Sequence, residues 1–269
     1  MYLADYHVHS RVSPDASYPM AEMTRAAITN GIDEVCFTDH VEPMEWGDLE
    51  LRESYDWNQL TNAFERAKQV AGDRVKVRLG IELGDAIFDL DHTKKLLADM
   101  PELDFIIGSI HILSVVFDYQ DLAFFKPENQ TELHKGLADY LRLVKRLAEW
   151  GQFSVLGHLT LPLRYLREEH GIPATFDGFE KEIEEIFRIL IANGCGIELN
   201  TNRGHLPLPD AKWLKMYREL GGEIITLGTD AHRPIDLGCA IRERQRLLKE
   251  CGFTKFCTFE KMKPIWHEL

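Results

Sequence analysis

No stretch of this 269-residue chain approaches the roughly 18 consecutive apolar residues of a membrane span, and no basic segment leads into an apolar one at the N-terminus. A membrane-spanning or visibly exported protein is therefore not expected, and the expected compartment is the cytoplasm. Cysteine is scarce: Cys36, Cys195, Cys239, Cys251 and Cys257 are odd in number and lack zinc-ribbon spacing, and Cys36 and Cys195 lie in apolar, strand-like runs. They read as reduced core residues. Positive charge is short as well, with 31 Lys and Arg against 44 Asp and Glu and a net charge of -13. That balance disfavours a nucleic-acid backbone or an anionic membrane as partner. A small anionic substrate would need local positive charge, from metal ions or a few arginines. Nor is the first apolar run followed by the glycine-rich turn of a dinucleotide-binding unit.

A hydrophobic content of 45% with 10% aromatics is enough for one large globular domain over 1–269. The chain is organised around its beginning, Asp5-Tyr6-His7-Val8-His9. In a strand, residues two apart share a face, so His7 and His9 can close on one metal ion. With 11 His in the chain, such a spacing alone is weak. The same arrangement recurs, however: the run from Glu34 ends in Asp39-His40, the run from Val75 in Glu82, the run from Phe105 in His111 and the run from Phe153 in His158. The run from Cys195 carries Glu198 and Asn200, and the run from Glu223 ends in Asp230-Ala231-His232. Helical patterns predicted near 20–30, 56–71, 89–100, 128–150, 176–193, 209–220 and 236–251 follow the seven runs. Regular alternation implies a parallel sheet with right-handed crossovers. The expected fold is α/β, a distorted or incompletely closed TIM-like (β/α)7 barrel; an open doubly wound sheet competes, but it would gather polar residues at one switch point and not at nearly every strand end.

Six of the 11 histidines, His7, His9, His40, His111, His158 and His232, fall at predicted strand ends. Any one of them reads as a hydrogen-bonded or solvent-facing side chain, and Glu82 or Asp230 alone as a rim ion pair or helix cap. Together on one barrel rim they point to a multinuclear metal site.

These residues fall in ordered motifs: DYHVHS at 5–10, FTDH at 37–40, GIELG at 80–84, GSIH at 108–111, GHL at 157–159 and GTDAH at 228–232. From end to end the chain resembles the PHP (polymerase and histidinol phosphatase) superfamily of metal-dependent phosphoesterases. Within it the chain looks most like the stand-alone histidinol-phosphate phosphatases, which share the ELNT stretch at 198–201. The resemblance implies a distorted (β/α)7 barrel with three divalent metal ions, Zn, Fe or Mn. It implies His7, His9, Glu82 and Asp230 as ligands of the first ion, a bridging Glu82 with His111 and His158 for the second, and Asp15, His40 and His232 for the third. Many members have His where this chain has Asp15, which makes the third site richer in oxygen and suits a harder ion. A bridging hydroxide is the implied nucleophile on a phosphate monoester. Arg164 and Arg203, in loops at the rim, are expected to grip the phosphoryl oxygens, so Glu82, Asp230, Arg164 and Arg203 are the expected catalytic residues. Asp230, His205 and metal-held water all remain open as the source of the leaving group's proton.

The expected partner is a small-molecule phosphate ester, and nothing in the sequence signals an oligomeric state. Histidinol phosphate is the leading substrate. Long rim loops at about 41–55, 112–127 and 159–175 carry Glu42, Glu45, Trp46, Phe117, Asp118 and Tyr119, which suit a small cationic, imidazole-bearing molecule. A phosphoesterase on phosphotyrosine protein or oligonucleotide, an amidohydrolase-type enzyme and a non-catalytic metal-bound module are the alternatives. Amidohydrolases usually hold a carboxylated lysine after a middle strand, the place taken here by Glu82. If Glu82 bridges two ions, Glu82→Gln lowers activity by several orders of magnitude and releases metal while leaving the circular dichroism unchanged. His92→Ala and His134→Ala, on outer helices, keep full activity; near-normal turnover in the Glu82 variant removes the bridging role.

Overall fold

The computed structural model of the protein describes residues 1–45 and 50–269; Trp46 lies outside the described residues. Strands β1 (Ala4–Val8), β2 (Glu34–Phe37), β4 (Lys76–Gly84), β5 (Phe105–Ser109), β6 (Val155–Leu156), β7 (Gly196–Asn200) and β8 (Ile225–Gly228) pair in chain order as one parallel sheet, and β3 (His40–Val41) pairs with β4. All residues of β1, β2, β5, β6, β7 and β8 are buried. Such unbroken burial is the mark of a parallel sheet covered on both faces.

Helices α1 (Met20–Thr29), α2 (Trp57–Ala71), α3 (Leu90–Leu96), α4 (Gln130–Trp150), α5 (Glu180–Ala192), α6 (Ala211–Glu219) and α7 (Ile241–Glu250) lie between the strands and after the last of them. Helix α4 forms where the apolar spacing predicts it. Asn129 caps its start by accepting from Glu132 N at 3.0 Å, and Leu133, Leu137, Tyr140, Leu141, Val144, Leu147 and Ala148 make its buried stripe. Gly151 ends it in the left-handed region at φ 60°, where a side chain is strained.

The two ends of the sheet meet. Val8 bridges Ala231, His9 N donates to Ala231 O at 2.9 Å, and Asp230 N donates to His7 O at 2.8 Å. The buried Asp5 carboxylate braces this seam, accepting from Thr229 N at 2.9 Å, Thr229 Oγ1 at 2.6 Å and Gly238 N at 2.9 Å. The result is a parallel sheet nearly closed into a barrel.

Four features depart from the sequence reading. The second run breaks after Phe37 and resumes as β3, because Glu82 N donates to both Thr38 O and Asp39 O at 3.1 Å and sets His40 beside Glu82. The helix predicted at 89–100 is only the seven residues of α3. A π-helical turn, Arg164–Glu169, occupies the predicted 159–175 loop. The chain ends in an antiparallel hairpin, β9 (Lys255–Glu260) and β10 (Lys263–Glu268), which packs at the barrel end remote from the strand-end histidines. There Tyr6 Oη donates to Glu34 Oε1 at 2.5 Å and accepts from Phe259 N at 2.9 Å, while Tyr2 Oη and Arg78 Nε donate to the same glutamate at 2.6 and 3.0 Å. Tyr6→Phe orphans the Phe259 amide and weakens the hold on Glu34, so urea denaturation at constant m registers a loss of about 1–3 kcal/mol. An unchanged midpoint shows that the hairpin is held by its apolar face alone.

Candidate metal centre

The sequence-predicted strand-end groups converge at one mouth of the barrel. Alternation along β1 turns His7 and His9 to the same side, where His7 Nε2 lies 3.0 Å from Glu82 Oε2 and 3.6 Å from Asp230 Oδ1. His9 Nε2 stands 3.3 Å from each of the same two oxygens. The other Glu82 oxygen, Oε1, meets His111 Nε2 at 3.1 Å and His158 Nε2 at 2.9 Å. On the outer side Asp15 Oδ2 lies 2.8 Å from His232 Nε2 and 3.7 Å from His40 Nε2. His7, His9, Glu82 and Asp230 form one group able to hold a cation, and His9, Asp15, His40 and His232 another. His40, Glu82 and His111 form a third such group, with His158 meeting the same Glu82 oxygen as His111.

Burial raises the carboxyl pKa of Glu82, but His7, His40 and His111 outweigh it and hold the group well below the usual carboxylate range. Burial likewise opposes a charged His7, yet Glu198, Glu82 and Asp230 raise it well above its ordinary value. The cluster demands positive charge at its centre. Protons on the imidazoles meet that demand only in part, since the arrangement also aims lone pairs at common points. His9 shows this best: Ser13 Oγ donates to Asp39 Oδ1 at 2.8 Å and so accepts from His9 Nδ1 at 3.0 Å, leaving Nε2 as the lone-pair atom. That buried Nε2 has no hydrogen-bond partner among the described residues. A nitrogen and oxygen donor set of this kind fits divalent Zn, Fe or Mn.

The cluster forms the floor of a cavity of about 670 Å³. Glu42, Glu45, Asp85, Asp118 and Asp121, with Tyr119, Phe124 and Tyr165, make an acidic and aromatic wall. Phe117 turns away from it and packs edge-on against Phe125. Glu42 is no free rim residue: it is buried, with Oε1 3.2 Å from His111 Nδ1 and 3.3 Å from His40 Nδ1. It occupies space that a Cβ on Gly84 would take, at 2.6 Å.

The two arginines part company. Arg164 sits on the π-helical turn, buried, with Nη1 donating to Asp230 Oδ2 at 2.6 Å, Nη2 to Asn200 Oδ1 at 3.1 Å and Nε to Asn202 Oδ1 at 2.9 Å. Arg203 is exposed beside a smaller cavity of about 370 Å³ that it shares with Asp15, Asp230, His232 and Arg233. His205 lines neither cavity. His92 and His134 are remote from the cluster, the first bonded to Arg52 O and the second stacked on Phe179. Asp39 and Glu198 stand at run ends in the sequence but receive no role there, and Ser13 is missed; Glu198 and Ser13 touch His7 and His9 from behind, and Asp39 acts on His9 through Ser13. Their only sequence signal is their place near those histidines at the ends of the apolar runs.

The model of the PHP domain family matches residues 5–202. The histidinol-phosphatase of Lactococcus lactis subsp. lactis (strain IL1403) is 28% identical, over 96% of this chain and 95% of its own. A Thermotoga maritima protein named "Probable histidinol-phosphatase" is 26% identical, over 93% of each chain. Among solved structures, histidinol phosphate phosphatase from Lactococcus lactis, complexed with zinc, L-histidinol and phosphate, superimposes with a TM-score of 0.80, at 24% identity and 98% coverage of both chains. That superposition carries the fold.

Donors whose lone pairs converge on common points, with a demand for positive charge that imidazole protons meet only in part, make folding depend on metal. Protein stripped by chelator melts lower, and Zn or Mn restores the melting temperature in a concentration-dependent way, each site adding about 2.7 kcal/mol of stability at 100 times its Kd. Identical melting curves with and without metal exclude a metal centre here.

Proposed function

The chain belongs to the PHP family, and from that premise we propose that it is a metal-dependent phosphomonoesterase converting L-histidinol phosphate to L-histidinol and phosphate in histidine biosynthesis. The observation that carries the reading is Glu82: its Oε2 faces His7, His9 and His40 while its Oε1 faces His111 and His158, as a carboxylate shared by two ions would. The reading takes residues 1–269 as one cytoplasmic domain. It assigns His7, His9, Glu82 and Asp230 to a first ion, Glu82, His111 and His158 to a second, and Asp15, His40 and His232 to a third. Bound divalent ions supply positive charge to the ester oxygens and lower the pKa of the water they hold. The full-length likeness to the Lactococcus lactis histidinol-phosphatase supports the substrate.

This chain's own residues do the rest. The cavity encloses a small ester and excludes a folded protein or a nucleic-acid strand. Its wall of Glu45, Asp85, Asp118 and Asp121 pairs with a cationic amine, and Tyr119 and Tyr165 offer faces to an imidazole. Sugar phosphates bring only hydroxyls and forfeit the ion pair. Arg164 borders the same cavity, and each Nη carries a second N–H beyond the one engaged, so one guanidinium can hold Asp230 and meet a phosphoryl oxygen. Arg203 lines the smaller cavity together with Asp15, Asp230 and His232 and is assigned to the phosphoryl group from there.

With one metal-loaded sample, histidinol phosphate is hydrolysed with kcat/KM at least about 100-fold above that of phosphoserine, glucose 6-phosphate or p-nitrophenyl phosphate, a gap near 3 kcal/mol. The gene restores growth to a strain deleted for the histidinol-phosphatase step. Comparable rates on all four esters, or a preference for a phosphotyrosine peptide, leave a metal hydrolase and remove the substrate assignment. Arg164→Ala lowers kcat/KM by roughly 100-fold at unchanged metal content. Wild-type kinetics in that variant return Arg164 to a structural role, and loss of metal assigns its effect to Asp230.

A further inference from the structure

Behind the centre lies a carboxylate that the chemistry above does not use. Glu198, in the middle of β7, is about 1% exposed. Its Oε1 accepts from His7 Nδ1 at 2.7 Å and from Asn200 Nδ2 at 3.3 Å, and its Oε2 accepts from the backbone N of His158 at 2.7 Å. Strand β7 neighbours β6 and β8, so to reach His7 on β1 the side chain must pass over β8. It passes at Gly228, where a Cβ would lie 2.3 Å from Glu198 Oε1 and 2.4 Å from the Cβ of His7. The glycine of the GTDAH stretch is thus required by close approach, and what approaches is this glutamate.

We propose that Glu198 is a positioning residue that fixes His7 with its proton on Nδ1 and its lone pair on Nε2, and ties that imidazole to the chain at His158. The inference rests on the metal assignment above, in which His7 and His158 serve different ions. One side chain then sets the orientation of a ligand of the first ion and the placement of a ligand of the second, and so helps set the spacing between them. A carboxylate can do this because both of its oxygens accept. A carboxamide cannot: Gln at this position offers one acceptor and one NH2, so it either loses His7 or turns a donor toward the His158 amide. An imidazole held by a carboxylate is also a more basic ligand, and removal of such a partner typically lowers metal affinity about 10- to 100-fold.

The test compares wild type, E198Q and E34Q by chelator competition with zinc and with manganese, starting from metal-free protein, and by thermal melting of the same samples. Glu34 is an equally buried glutamate, bonded to Tyr2, Tyr6 and Arg78 at the remote end of the barrel, and it controls for the loss of any interior carboxylate. E198Q is expected to bind metal about 10- to 100-fold more weakly, whereas E34Q melts lower but binds as wild type. Equal metal affinity in E198Q and wild type, or equal weakening in E198Q and E34Q, overturns the positioning role. Wild-type protein that takes up neither ion overturns the metal reading itself, a separate outcome. Should E198Q fail to fold, nitrogen NMR of the zinc-loaded wild type decides. A His7 proton on Nδ1 with Nε2 bare supports the role, and the opposite tautomer overturns it.

Discussion

His7 stands on the first strand, His9 directly follows it and Asp230 follows the last strand of the sheet, so they can face one ion only if the two ends of the sheet are bonded to each other. The seam that does this is short: the bridge between Val8 and Ala231, the bond from Asp230 N to His7 O, and the Asp5 carboxylate spanning 224 residues of sequence to Thr229. Asp5 is wholly buried, and that burial pushes its carboxyl up to about 6; the four donors around it act in the opposite direction. Within the fold, one aspartate two residues before His7 joins the strands that carry one half of the centre to those that carry the other. The residues that build the site and the residues that close the barrel are therefore interleaved in one stretch, Asp5 to His9.

Closure brings together charges that would otherwise stay apart. Glu82 and Asp230 are buried within a few ångströms of His7 and His9, a placement that costs several kcal/mol of desolvation per ion unless opposite charge compensates it. Imidazolium protons and Arg164 offset part of that cost. The remainder is the physical ground for a divalent cation at this position, and it explains why strand ends braced by the sheet carry most of the donors, with Asp15 coming from the loop after β1.

Much of this convergence is legible in the sequence because His, Asp and Glu side chains at strand ends obey simple spacing. His7 and His9 share a face by the two-residue period of a strand, and Glu82, His111 and His158 recur where apolar runs stop. What escaped had a different physical origin. Glu198 is legible as an acid near a strand end but its role is not: it sits between Ile197 and Leu199 in a fully buried strand, and the His158 amide and His7 ring that it holds lie 40 and 191 residues away. Arg164 was placed by spacing from His158 as a loop residue, but a π-helical turn carries it inward to Asn200 and Asn202. Glu42 was read with the acidic rim; β3, an unpredicted two-residue strand, buries it against His40 and His111 instead. The hairpin over Lys255–Glu268 alternates too weakly on its outer strand to stand out, and its two-residue turn, Lys261 and Met262, takes positive φ at both positions without the Asn or Gly that would signal it.

The backing residues share a logic that bears on how the centre keeps its shape. His7 is held by Glu198, His9 by Ser13 and through it Asp39, His111 by Glu42, and Asp230 by Arg164. In each case the partner takes the atom not needed at the centre and leaves the other free to face inward. A ring or carboxylate fixed in this way loses little freedom when it takes up an ion, so the ordering cost has already been met in folding. Glycine recurs where backing is tightest: Gly84 makes room for Glu42, and Gly228 for Glu198. A side chain at either position would leave the donors in the sequence yet displace the carboxylates that aim them, which is why the glycines of GIELG and GTDAH belong to the site as much as the acids and imidazoles beside them.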